Sequence, residues 1–272
     1  MLDLQLLIAQ VLQFEQIIVV GSGPSVSYAL DEVLQQKNTF FLLADSIAHS
    51  CITMQHKLVG EFHNRQVVFS VENRRHHYLS SIIKTPICFY RNANWANLPK
   101  NHQKVYLFGL KSDQASPVKS RENRSVFYRK KNEIDCIKLK SPGTVTGIMI
   151  AFILYIAKQH PIWAKRINVK LLGVDFAFID NQMYPREIYS GLFRPHNRFN
   201  TILSEELIRV FEKSAYGWIR DGQMIKSSAE LVQTRENIIE LMQKNVNIHW
   251  AEYSPLGISQ PFVEKLVPKI FM

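Results

Sequence analysis

The chain alternates short, fully apolar runs with longer stretches of helical periodicity. The runs are IIVV at 17–20, TFFLLA at 39–44, QVVFSV at 66–71, ICFY at 87–90, 105–109, and VKLLG at 169–173. Runs this short, without polar alternation, predict strands buried on both faces, as in a parallel sheet. Helical spacing is read over Met1–Gln13, Ser25–Gln36, about 74–83, 141–159, 202–216 and 227–245, with a last strand over Val246–Tyr253. The helix–strand order is what right-handed parallel crossovers require. The expected fold is α/β and Rossmann-like: a mostly parallel sheet with helices on both faces, strands 17–20, 39–44, 66–71 and 169–173 central. The organisation expected is a leading helix at 1–14, one nucleotide-binding domain at 15–258 with a lid-like insert at 177–201, and a basic apolar tail at 259–272.

The chemistry gathers where strands end. The first strand stops at Gly21-Ser22-Gly23-Pro24-Ser25 and a helix follows. Glycines let the backbone turn tightly and approach a ligand, and a helix starting at Ser25 would aim N–H groups at a phosphate. The second strand ends at Asp45, a helix cap or a ligand contact at the carboxyl edge. The stretch SPGTVTGIMIAFILYIA at 141–157 reads as a buried central helix whose start brings Thr146 and Gly147 to one spot. Asp175 follows the strand at 169–173. Gly21, Ser22, Gly23, Pro24, Ser25, Asp45, Thr146, Gly147 and Asp175 are thus the expected nucleotide-binding residues.

Composition narrows the partners. A net charge of +10 favours an anionic ligand or surface. No nucleic-acid-binding motif accompanies it, so no nucleic-acid partner is expected. Cys51, Cys88 and Cys136 are sparse and odd in number, which suits a reducing compartment and a cytoplasmic protein. The opening residues lack a basic region and a small-residue cleavage site, so no secretory signal is expected. The run Val145–Ala157 is too short to span a bilayer. The basic, apolar tail at 260–272 is read as docking on the core or, as an alternative that fits the charge, making peripheral contact with the inner membrane face. Residues 111–140 are polar and read as an extended segment, with room for one short strand.

The insert at 177–201 holds Asp180, Tyr184, Arg186, Tyr189, Arg194, His196 and Arg198 with little periodicity. A histidine suits a general base, and arginines and tyrosine hydroxyls suit a departing phosphate. No Asp-x-Asp pair is present, so no metal and no cofactor is expected. Asp45, Glu72 and Asp175 at strand ends leave open a Mg²⁺-dependent phosphoryl transfer.

IIVVGSGPS at 17–25, GTVTGIMIAFILYIA at 143–157 and VKLLGVDFAF at 169–178 together resemble the MptE-like family, comprising 6-hydroxymethylpterin pyrophosphokinase-like proteins and motility accessory factors. FLLADS at 41–46, QVVFSVEN at 66–73 and SPLG at 254–257 extend the resemblance. The chain is similar, more distantly, to bacterial sialyltransferases of the Campylobacter type. That resemblance implies a transferase moving an acidic sugar from a CMP donor to a surface glycan or protein. It also implies His196 as catalytic base and Tyr184, at a shifted position, at the leaving phosphate; the composition of the insert adds Arg194 to that phosphate. The MptE-like resemblance implies instead a pyrophosphokinase using ATP and Mg²⁺ on a pterin-type alcohol. A third expectation is a nucleotide-sugar-binding assembly factor without catalysis.

Overall fold

The computed structural model describes residues 3–58, 65–71, 85–91, 93, 104–111, 137–140, 142–178, 214, 216–220, 223–244, 247–253 and 264–265. Helix α1 (Leu4–Val11) buries Leu4, Leu7, Ile8 and Val11, the spacing of one helical face, and Asp3 caps it by accepting the Gln5 amide. Then come β1 (Gln16–Val20), α2 (Val26–Leu34), β2 (Thr39–Ala44), α3 (Asp45–Leu58), β3 (Gln66–Ser70), β4 (Ile87–Tyr90), β5 (Val105–Leu110) and β6 (Ile137–Leu139). The chain returns through α4 (Val145–Gln159) and the single turn α5 (Pro161–Ala164) to β7 (Asn168–Leu172). A hairpin, β8 (Tyr216–Arg220) and β9 (Gln223–Ser227), precedes α6 (Ala229–Gln243), β10 (His249–Glu252) and the two-residue β11 (Glu264–Lys265).

The described strands other than the hairpin form one sheet in the order β11-β10-β7-β1-β2-β3-β4-β5-β6. Every pairing in it is parallel. The architecture is α/β and Rossmann-like, and the four strands expected at the centre lie side by side as β7-β1-β2-β3. Its parallel character follows from the sequence: β2, β3 and β4 are buried at every position, which needs cover on both faces. Consecutive residues of β3 show that cover. Phe69 meets Phe152 of α4, with ring centroids 5.3 Å apart, while the next side chain, Ser70, bonds Asp45 at the start of α3. Adjacent strand residues point to opposite faces, so α4 and α3 flank the sheet.

Helix α4 is buried on nearly every side, as its sequence predicts. Pro142 and Gly143, the latter at φ +109°, end the preceding strand segment, and Thr144 caps the helix through the Gly147 amide. A polar strut crosses the sheet near its amino end. Gln16 donates to Gln36 and Thr39, and Gln36 donates to the Tyr253 hydroxyl. Lys170 donates to Gln36 and lies 5.9 Å from the Tyr253 ring centroid.

Two element ends change. Tyr216, read as the end of a helix, is the first residue of β8, and Ser227, read with Ser228 as a candidate cap, belongs to β9, which leaves Ser228 as the cap of α6. Two residues of the tail pair with β10 as β11, in line with a tail that docks on the core. The helix read at about 74–83, the bulk of the 111–140 segment, the insert beyond Phe178 and most of the tail lie outside the described residues.

Candidate functional site

Strands β1 to β6 step outward in one direction from β1, and β7, β10 and β11 lie on its other side. The order reverses between β1 and β7. In open α/β sheets the crevice above such a reversal, at the carboxyl ends of the strands, is where ligands bind. A cavity of about 300 Å³ lies there. Its walls come from the turn after β1 (Ser22, Gly23), the junction of β2 and α3 (Ala44–Ser46), the start of α4 (Thr144–Thr146), the segment after β7 (Gly173–Phe178) and the start of α6 (Ser228, Glu230, Leu231).

The turn after β1 is fastened to the segment after β7 by alternate residues. The amides of Gly21 and Gly23 donate to the carbonyls of Leu172 and Gly173, each at 2.8 Å. The Ser25 amide donates to Asp175 Oδ2 at 2.8 Å, and the Ser25 hydroxyl accepts the Gly173 amide at 3.2 Å. A Cβ at Gly23 would run into Asp175 and lie 2.8 Å from the Gly173 carbonyl oxygen. Gly173 itself sits at φ +66° with Val26 where a side chain would go. These glycines are therefore explained by the contact of two turns. The next amides close on the chain as well: Val26, Ser27 and Tyr28 donate to Gly23, Pro24 and Ser25.

This corrects the expectation for the glycine turn. Its alternate amides do not face an empty anion site, because a buried carboxylate of the chain, Asp175, holds the Ser25 amide at the start of α2. A negative group is what a helix N-terminus favours. Pro24 and Ser25 belong to that fastening, and Gly21 packs against the Gly173 backbone. Gly147 faces Pro142 and Ile238 rather than the cavity.

Asp45 is also buried. It accepts the Ser46 amide at 2.8 Å and the Ser70 hydroxyl at 2.7 Å. Helix α6 is capped by Ser228, which accepts the Leu231 amide at 3.2 Å, and carries Glu230 in its first turn. Among the described helices that begin at this cavity, α3 and α6 carry an acid in the first turn and α2 receives Asp175 from after β7, whereas α4 carries no acidic residue in its first turn. Thr146 in its first turn is buried, lines the cavity, and its hydroxyl makes no hydrogen bond within the described residues. Among the described helices at this cavity, the N-terminus most open to an outside anion is therefore that of α4, where Thr144 engages the Gly147 amide.

The roof is tied down by the hairpin. Phe178 forms an isolated bridge with Lys226, its amide donating to the Lys226 carbonyl at 2.7 Å. The Ser227 hydroxyl donates to the Phe176 carbonyl at 2.7 Å. Phe176 adopts φ +51°, an uncommon conformation for a bulky residue, and it lines the cavity. Ala177 and Ile225 pack as a small satellite core against Tyr28.

Of the sequence-derived residues, Ser22, Gly23, Asp45, Thr146 and Asp175 meet at this cavity, and Gly21, Pro24, Ser25 and Gly147 support it from behind. His196, Tyr184 and Arg194 lie outside the described residues. Ser228, Glu230 and Phe178 were not expected here. A usable signal existed for the first two: the helix that starts there leads into a parallel strand, so its N-terminus must lie at the carboxyl edge. Among the described residues no three His, Cys, Asp or Glu side chains are grouped as a metal site. Comparison with family models, curated proteins and solved structures returned no match.

Proposed function

We propose that the cavity binds the phosphate of a nucleotide donor and that the protein is a nucleotide-dependent transferase, moving an acidic sugar from a CMP donor to a hydroxyl of a glycan or protein. The observation that carries the reading is the start of α4, which carries no acidic residue in its first turn and faces the cavity at the strand-order reversal, with the Thr146 hydroxyl beside it making no hydrogen bond within the described residues. The donor phosphate sits against the α4 amides and Thr146. The nucleoside extends along the turn at Ser22–Gly23. In the transfer step the acceptor hydroxyl loses its proton to His196, its oxygen forms a bond to the anomeric carbon, and the bond from that carbon to the phosphate oxygen breaks. CMP leaves with the electron pair, and Tyr184 and Arg194 stabilise its phosphate. The roles of His196 and Tyr184 rest on the resemblance to sialyltransferases, and that of Arg194 on the chemistry of the insert.

One observation favours a second reading, an MptE-like pyrophosphokinase: Asp45 and Asp175 line the same cavity, with Glu230 also in its wall, and the two aspartates could hold Mg²⁺ with ATP. Each already accepts hydrogen bonds from the fold, and no third ligand is grouped with them among the described residues. The donor set thus fits the metal-dependent reaction less well.

Calorimetric titration with CMP, CDP, UDP and ATP, each with and without Mg²⁺, tests the proposal. Tightest binding of CMP, unchanged by EDTA, supports it. Preference for ATP with Mg²⁺ replaces it with the kinase, and absence of nucleotide binding leaves the assembly factor.

A further inference from the structure

The sheet is parallel throughout, so every strand begins on the edge opposite the cavity. Cations collect on that amino edge. Lys37 precedes β2, Arg65 precedes β3, Lys104 precedes β5, and Lys165 and Arg166 precede β7. Glu15, before β1, is the acid among these positions and lies 3.8 Å from Arg166. Helix α4 delivers Lys158 to the same edge at its last turn, and α2 brings Asp31 and Glu32 there, so the cations on this edge outnumber the acids without excluding them. From Cys136 to Val174 the sequence has no Asp or Glu and six Lys or Arg residues.

From this basic edge projects an isoleucine. Ile162 is 77% exposed, the most exposed large hydrophobic among the described residues. Its neighbour Trp163 is buried and donates from Nε1 to the Phe14 carbonyl at 3.1 Å. Pro161 stands at the start of the turn. The exposed side chain is therefore held on a fixed turn. Beside it a hollow of about 260 Å³ has Ala157, Ala164 and Ile248 in its walls and Lys158 and Lys244 at its rim, Lys244 being paired with Glu240.

We propose that this amino edge docks on an anionic lipid bilayer, with Ile162 entering the interface and Lys158, Lys165, Arg166, Lys37 and Lys104 facing the headgroups. Cations near an anionic leaflet and an aliphatic side chain at the headgroup boundary are the two complementary terms of peripheral membrane binding. A nucleic acid would be met by the cations alone; the exposed isoleucine is what favours the bilayer. The docking site is independent of the ligand reading, and it leaves the cavity facing away from the membrane.

Co-sedimentation of the full chain with vesicles tests this. The protein should bind phosphatidylcholine vesicles containing phosphatidylglycerol, weakly bind phosphatidylcholine alone, and dissociate with added salt. Lys158→Glu with Lys165→Glu should lower affinity for the anionic vesicles by roughly tenfold or more, given the contribution of each cation near such a surface. Ile162→Ser should lower it several-fold while leaving the circular dichroism spectrum unchanged. The control pair Lys111→Glu with Lys140→Glu makes the same charge change at the carboxyl ends of β5 and β6 and should bind as the parent does. Failure of the parent to bind anionic vesicles, or equal loss in the control pair, overturns the docking site. So does an Ile162→Ser variant with parental binding, and displacement by duplex nucleic acid would then reassign the edge to that partner.

Discussion

The Asp175 carboxylate accepts the Ser25 amide at 2.8 Å across 150 positions of sequence, and so closes the start of α2 with an anion of the protein's own. Removing it leaves a buried amide without its acceptor at a helix N-terminus. Asp175→Ala should therefore cost about 1–3 kcal/mol of folding stability. Urea denaturation would show this as a lower midpoint with unchanged slope. Wild-type stability with lost nucleotide affinity would make Asp175 a ligand contact instead.

Gly23→Val should destabilise rather than act only on a ligand. Its side chain would enter the space of Asp175 and the Gly173 carbonyl, which are held by the bonds that fasten the two turns. Overpacking of this kind typically costs about 1–3 kcal/mol. A melting temperature equal to the parent's would show that the two turns separate more easily than their contacts indicate.

Thr146→Val is the cleaner probe of the cavity. The hydroxyl has no partner within the described residues, and the substitution keeps the shape of the side chain. Stability should stay within about 0.5 kcal/mol, as for changes outside the recognised destabilising mechanisms. CMP affinity should fall about tenfold, the loss of one hydrogen bond to a charged group. Calorimetry on the folded variant reads both, and undiminished affinity removes Thr146 from the phosphate site.

Burial pushes the phenol pKa up at Tyr253, against the bond from Gln36, and at Tyr106, where Cys88 adds to it. Each phenol then holds its proton in the folded chain at pH values where the unfolded chain releases it. The folded state binds more protons above the ordinary tyrosine value of about 10, so stability falls as pH rises past it. Below that value this contribution is fully present. Denaturation midpoints between about pH 8 and 11 should decline at the alkaline end. Tyr253→Phe should make the decline shallower; an identical profile would remove Tyr253 as a source.

If His196 is the base, His196→Ala should slow turnover by roughly two to four orders of magnitude with donor affinity little changed. Single-turnover kinetics beside CMP titration separate the two. An equal loss of donor affinity would assign His196 to binding.

The fold was legible because its signals are local. Ile17–Val20, Thr39–Ala44 and Lys170–Leu172 are too apolar to leave either face wet, and only a covered parallel sheet accommodates them. The hairpin was missed although Asp221-Gly222, a dipeptide typical of two-residue turns, separates the paired residues Arg220 and Gln223. The helical spacing before it was carried too far, to Tyr216, and no strand was read directly after it. The site was legible in membership but not in role. Gly21 and Gly23 look the same in sequence whether a phosphate or another turn presses on them, and the partner that presses, Asp175, is distant in the chain. Thr146 gained its meaning only once Asp175, Asp45 and Glu230 were seen to attend the other three helix starts.

The central pairing of β1 with β7 sets an order of events during synthesis. At roughly 5–20 residues per second, about eight to thirty seconds separate the emergence of Ser25 from that of Asp175. Until then one edge of β1, a run of buried-type residues, has no neighbour, and unpaired edges of this kind invite association between chains. Strands β2 to β6 can add to its other edge meanwhile. The crevice at the strand reversal is thus completed late, by a segment that adds to the waiting edge of β1 and in turn offers its own outer edge to β10. A ribosome stall just before Asn168 would leave the most aggregation-prone surface of the molecule open, and a holdase chaperone would find its site on β1.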